Sequence, residues 1–164
     1  MGAASAVAAG LWKRPAIRQF VKFCIVGVGS TLINLGTIFL LIEIVHLDRL
    51  LGTDLSYARP PAQLAGFILS VTNGFFFNMR WTFQSGDPVA WRDRYPRFIA
   101  TNSVGLLLNM AVANLVALAI PDTAARLLSP PLRDPRGLIG SVTATAVVVF
   151  WNFAASKYWT FRQE

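Results

Sequence analysis

Four long uncharged runs dominate the hydropathy pattern: Phe23 to Ile42, Ala62 to Met79, Phe98 to Ile120 and Gly137 to Ser156. Each is close to the roughly 20 residues that cross about 30 Å of hydrocarbon at 1.5 Å per residue. Lipid offers no partner to a backbone N–H or C=O, so runs of this length predict helices rather than strands or coil. Buried core helices are the other reading of such runs. It fails here because four of them fill half the chain and leave too little polar sequence to cover them.

Composition supports the membrane reading. The 164 residues are 54% hydrophobic and 14% charged, with a mean hydropathy of +0.50; an average soluble domain is nearer one quarter charged. The net charge of +7 does not point to nucleic acid, because the cations stand at the ends of apolar runs, as orientation signals and anionic-lipid contacts do. Cys24 and His46 are each the only residue of their kind, which excludes an intrachain disulfide and leaves no metal cluster. No N-glycosylation acceptor or lipidation signature occurs. Residues 1–19 read as a cytoplasmic or interfacial tail. Its small apolar stretch precedes Lys13 and Arg14, the reverse of a secretory signal.

The flanks predict orientation. Ten Lys and Arg lie before the first run, between the second and third, and after the fourth; five lie in the other two connections. That bias places both termini in the cytoplasm. The outer connections carry Pro60-Pro61, Pro121, Pro130-Pro131 and Pro135, expected at helix ends and connectors rather than at kinks. Thr123 to Ser129 is expected to form a short interfacial helix.

A shift of 78 residues registers the two halves without a gap. Phe20 falls on Phe98, Gly27 on Gly105, Phe75 on Phe153, and Trp81-Thr82-Phe83 on Trp159-Thr160-Phe161. Apolar matches between membrane helices are cheap, but a shared Trp-Thr-Phe at a fixed distance from a shared Gly is not. Each half (about 20–83 and 98–161) therefore reads as a two-helix hairpin. A hairpin returns to its starting side, so the repeats are parallel. The expectation is one all-α, four-helix transmembrane domain over residues 20–164.

Polar residues recur inside the runs. Gly27, Thr31 and Asn34 share a face of the first, with Ser30 beside it, and Asn102, Gly105 and Asn109 share a face of the third. The second carries Gly66, Ser70, Asn73 and Asn78; the fourth carries Ser141, Thr145, Asn152 and Ser156. Small and amide-bearing residues serve helix packing. Four such stripes ending in cations also suit a path for a polar headgroup, through Thr31, Asn34, Asn73, Asn102, Asn109, Thr145 and Ser156. Arg80 and Lys157 read either as snorkelling topology markers or as phosphate ligands, with Lys22 and Arg97 nearby. Asn78 and Asn152 are placed to add amide donors, and charge-assisted donors are what a phosphate needs. Trp81, Trp159 and Tyr158 form an aromatic rim.

Phe-x6-Gly early in each half, an Asn/Phe-rich helix end and a closing aromatic-Thr-Phe triplet resemble the GtrA-like family across residues 18–162. That resemblance implies a small bacterial inner-membrane protein that moves a polyprenyl-phosphate-linked sugar for surface-glycan synthesis. The alternative is that it anchors or partners a polyprenyl-phosphate glycosyltransferase without transporting. It implies no cofactor. The family pattern, similar to N-F-x-x-N-R-x-W-x-F, is met imperfectly. Lys157 stands in the Arg place of the second half, and Met79 in that of the first, with Arg80 one residue late. Either Arg80 reaches the same spot with its long stem, or the halves contact substrate differently. So the site is expected to be asymmetric within one chain.

Catalysis has no support in the spans, which hold no acid pair, no nucleophile with a base and no metal cluster. A proton-coupled cation exporter would want a deep carboxylate, whereas Glu43 is the only acid near a span and lies at its outer end. No Walker-type loop is present. Because four helices enclose little volume, a homodimer is expected.

Overall fold

The computed structural model describes residues 14–84, 91–121 and 135–162. Within them the chain is helical, with no strand. The expected tail residues 1–13, the Thr123–Ser129 helix and the outer-loop prolines Pro130-Pro131 lie outside the described residues. The chain divides into two compact units, Met1–Pro88 and Val89–Glu164.

In the first unit, α1 (Pro15–Phe39) continues into a five-residue π-helical turn, Leu40–Ile44. Pro15 opens α1 at a position whose N–H has no helical partner to lose, so residues 15–19, expected in the tail, are helical. The chain reverses through His46, in the left-handed conformation at φ 52°, then the short helix α2 (Leu47–Leu51) and Gly52 at φ 61°. α3 (Leu55–Phe77) returns and ends in a second π turn, Asn78–Thr82.

Here Pro60 and Pro61, expected at a helix end, lie inside α3. They fall in its second turn at the exposed end of the hairpin. Water there can satisfy the Ser56 and Tyr57 carbonyls that lose their donors, so the usual cost of an internal proline is lowered.

The two long helices run antiparallel, as their contacts show in order: Ile42 against Ala58 and Ala62, Asn34 against Gly66, Phe23 against Phe83. On α3 and its π turn, Ala58, Ala62, Gly66, Ser70, Gly74 and Asn78 are all buried. They sit at every fourth position, one ridge of the helix surface. Between membrane helices there is little hydrophobic drive, so close backbone approach over small residues holds the pair through dispersion. The outward faces are Leu, Ile, Val and Phe.

The second unit is built alike. α4 (Trp91–Ala119) is 29 residues long, about 43 Å. It begins seven residues before the expected Phe98 and holds Pro96 inside its second turn. α5 (Pro135–Ala155) ends in the π turn Ser156–Thr160. Ala113 faces Gly140, Gly105 faces Asn152, and Phe98 meets Phe161, again antiparallel.

Among the described residues, three helices are long and apolar enough to cross a membrane: Pro15–Ile44, Trp91–Ala119 and Pro135–Thr160. The expected fourth, α3, is a 23-residue helix, but it is not among them. Gln63, Asn73 and Asn78, with Ser70 and Thr72 between, dilute its apolar stretch.

Candidate functional site

Both hairpins end in the same local structure. The Phe83 N–H donates to the Asn78 carbonyl and the Phe161 N–H to the Ser156 carbonyl, each at 2.8 Å. This five-residue spacing widens the last turn. It turns Thr82 and Phe83, and likewise Thr160 and Phe161, into the hairpin. Trp81 and Trp159 stay half outside. The phenylalanines then close each hairpin against the first helix, Phe83 on Phe23 at 6.3 Å and Phe161 on Phe98 at 5.7 Å.

The charges at these ends differ. In hairpin 1 the Lys22 ammonium donates to the Trp81 carbonyl at 3.2 Å and lies 5.3 Å from the centre of its ring, a cation–π contact. Met79, in the register of Lys157, is buried, while Arg80 is exposed. In hairpin 2 the cation comes from the π turn itself. Lys157 lies over the Phe153 ring at 5.8 Å and the Tyr158 ring at 5.5 Å. Arg97 is exposed on α4.

Beside Arg80, hairpin 1 has a cleft of about 720 Å³. One wall is Ile25, Val26 and Gly29 of α1; the other carries Asn73, Phe76 and Phe77, with Arg80 and Trp81 at its end. The volume is that of a small-molecule site. So Arg80, Asn73 and Trp81, all singled out from sequence, share one concavity. Its apolar walls were not anticipated. They read as ordinary lipid-facing positions, and the only sequence mark is that Gly29 falls on Leu107 in the 78-residue register.

The remaining polar residues separate into two groups. Asn34, Asn78, Asn152 and Ser156 point into their hairpins, each with a buried side-chain oxygen that has no hydrogen-bond partner; Asn78 is 3% and Ser156 0% exposed. Asn34 packs on Gly66 and Asn152 on Gly105. By contrast Thr31 and Thr145 are exposed and donate to their own helices, to the Gly27 carbonyl at 3.0 Å and the Ser141 carbonyl at 2.8 Å. Asn102 likewise donates to the Phe98 carbonyl at 2.8 Å, and Asn109 is half-buried on α4. Back-bonding of this kind satisfies a donor locally and leaves little for a ligand. In hairpin 2 the Thr101 and Thr160 hydroxyls meet at 3.4 Å, and the Trp151 indole donates to the Thr101 carbonyl at 3.3 Å.

Comparison with known proteins places the chain in a family of membrane proteins. The model of the GtrA/DPMS transmembrane-domain family matches residues 22–161. An uncharacterized membrane protein of Bacillus subtilis, YngA, is 36% identical over 67 residues, 41% of this chain and 38% of that protein's length. A protein of Escherichia coli named as a prophage bactoprenol-linked glucose translocase homolog is 24% identical over 146 residues, 89% of this chain and 97% of its own. No solved structure matches. The chain is an integral membrane protein and belongs to the GtrA/DPMS transmembrane-domain family.

Proposed function

We propose that this protein translocates a polyprenyl-phosphate-linked sugar across the membrane for the assembly of a surface glycan. The observation that carries the reading is the family match across residues 22–161. It is joined by near full-length similarity to a protein named as a lipid-linked glucose translocase homolog. The residues suit the task. Each hairpin end offers a cation, Arg80 or Lys157, with Lys22 and Arg97 on the neighbouring helix, where a phosphate would need charge-assisted donors. Trp81, Tyr158 and Trp159 offer faces to a sugar ring. The task is binding and passage rather than bond-making, so no catalytic group is required.

In this reading α3 spans the membrane despite its weaker hydropathy, and the hairpins are parallel repeats of a single transmembrane domain. Both termini face the cytoplasm of a bacterial inner membrane, as the ten-to-five distribution of cations favours. Asn34, Asn78, Asn152 and Ser156 hold buried, unpartnered oxygens inside the hairpins, which would reach a sugar hydroxyl only if the paired helices part. Two copies of the chain enclose the path, and a glycosyltransferase supplies or uses the lipid-linked sugar.

Reconstituted vesicles test this. Purified protein is expected to move the sugar-bearing headgroup between leaflets, and Arg80→Ala with Lys157→Ala to abolish movement while helicity stays at the wild-type level. Vesicles of pure protein that show no movement, with a stable glycosyltransferase complex recovered from cells, would replace transport by an anchoring role.

A further inference from the structure

The cleft in hairpin 1 is a lane with one charged end. From Asn73 to Trp81 its second wall rises by about 12 Å, with Phe76 and Phe77 between the Asn73 amide and the Arg80 guanidinium. No carboxylate among the described residues pairs with Arg80, and the described acids of this unit, Glu43, Asp48 and Asp54, sit at the other end of the hairpin. On the opposite wall, a Cβ built at Gly29 would meet nothing within 4 Å. Gly29 is therefore not required for helix packing. It leaves the lane open.

Hairpin 2 cannot repeat this arrangement. In the 78-residue register Leu107 replaces Gly29, Trp151 replaces Asn73 and Tyr158 replaces Arg80. The Leu107 side chain projects outward, and the Trp151 indole is engaged with the Thr101 carbonyl. The counterpart lane thus carries a leucine on one wall and lacks the amide, and its cation, Lys157, stands one register position earlier, over the Phe153 and Tyr158 rings.

We infer that hairpin 1, and not hairpin 2, seats the phosphate and first isoprene units of a polyprenyl phosphate, one lipid per chain, with Gly29 as the residue that admits the prenyl chain. This rests on the lipid-linked-sugar reading and locates its lipid. The apolar walls accept the chain, the Arg80 guanidinium at the charged end holds the phosphate, and the sugar is left beyond the Trp81 end.

The test uses the full chain in phosphatidylcholine nanodiscs, with sugar-free polyprenyl monophosphate as probe and native mass spectrometry as readout. Wild type is expected to retain one probe molecule per chain. Gly29→Leu, whose Cβ meets no neighbour within 4 Å, and Arg80→Ala should each weaken binding at least tenfold. Leu107→Phe, adding bulk at the counterpart position, should bind within twofold of wild type. The site is overturned if wild type retains no probe, if Gly29→Leu binds like wild type, or if Leu107→Phe loses as much as Gly29→Leu. Equal displacement by phosphatidate would also overturn it, reducing the lane to a general lipid groove. Translocation separates the two readings. A wild type that binds the probe but moves no sugar-linked lipid overturns transport and leaves the site standing. Equal transport by wild type and Gly29→Leu overturns the site alone.

Discussion

A methyl group at Gly140 would lie 2.5 Å from the Ala113 carbonyl oxygen, and at Gly66 2.9 Å from that of Asn34. Backbone cannot swing aside as a side chain can. At Gly105 the obstacles are the Asn152 side-chain atoms, at 2.6 to 3.2 Å, and these can rotate away. Gly27 and Gly36 face open space. Alanine substitutions should therefore rank. Gly140→Ala and Gly66→Ala lose about 1–3 kcal/mol by overpacking, Gly105→Ala loses less, and Gly27→Ala is neutral or slightly stabilising. Detergent-titrated unfolding of the four variants checks the order, and a Gly27→Ala loss as large as that of Gly140→Ala would contradict it. Sequence spacing placed Gly27, Gly66 and Gly105 in the small-residue stripes, but could not say which of them carries a helix contact.

At the scale of elements, the π turns decide the functional end of each hairpin. Had Asn78–Thr82 and Ser156–Thr160 continued as α-helix, the following residues would be rotated by about 100° per residue of register. Phe83 and Phe161 would then leave their partners. Their rings are buried, at 7% and 3% exposure, so Phe83→Ala and Phe161→Ala should each destabilise by about 3 kcal/mol. Trp159→Ala, at a half-exposed position, should cost under about 1 kcal/mol. Thermal unfolding in detergent distinguishes these. The triplets Trp81-Thr82-Phe83 and Trp159-Thr160-Phe161 were plain in the sequence as paired helix ends. Their inward and outward sides were not, because α periodicity assigns the wrong side once a turn gains a residue.

For the whole molecule, the proposed crossing of the bilayer by α3 has a direct labelling test. With Cys24→Ser as background, a cysteine introduced by Asp54→Cys should react with a membrane-impermeant maleimide on intact cells. Gln84→Cys and Arg162→Cys should react only after permeabilisation. Labelling of positions 54 and 84 from the same side would remove the fourth span. Reversal of the whole pattern would keep four spans and invert the orientation.

The amino-acid order by itself settled the solvent of this protein and the type of its secondary structure. Hydrocarbon forces any long uncharged run to satisfy its own backbone, whatever it later packs against, so helices at Phe23–Ile42, Phe98–Ile120 and Gly137–Ser156 were legible without a fold. It also placed Arg80, Asn73 and Trp81 among the residues of interest. Helix bounds were blurred where polar residues extend a helix beyond the apolar run, as at Pro15–Lys22, Leu55–Pro61 and Trp91–Arg97. Only the tertiary structure decided that Asn34, Asn78 and Asn152 turn inward while Thr31, Asn102 and Thr145 bond to their own helices. It alone showed that Gly29 lines a cleft with Arg80. The reason is geometric: a side chain's partner depends on the neighbouring helix and on one-residue changes of register. Neither leaves a periodic mark in the chain.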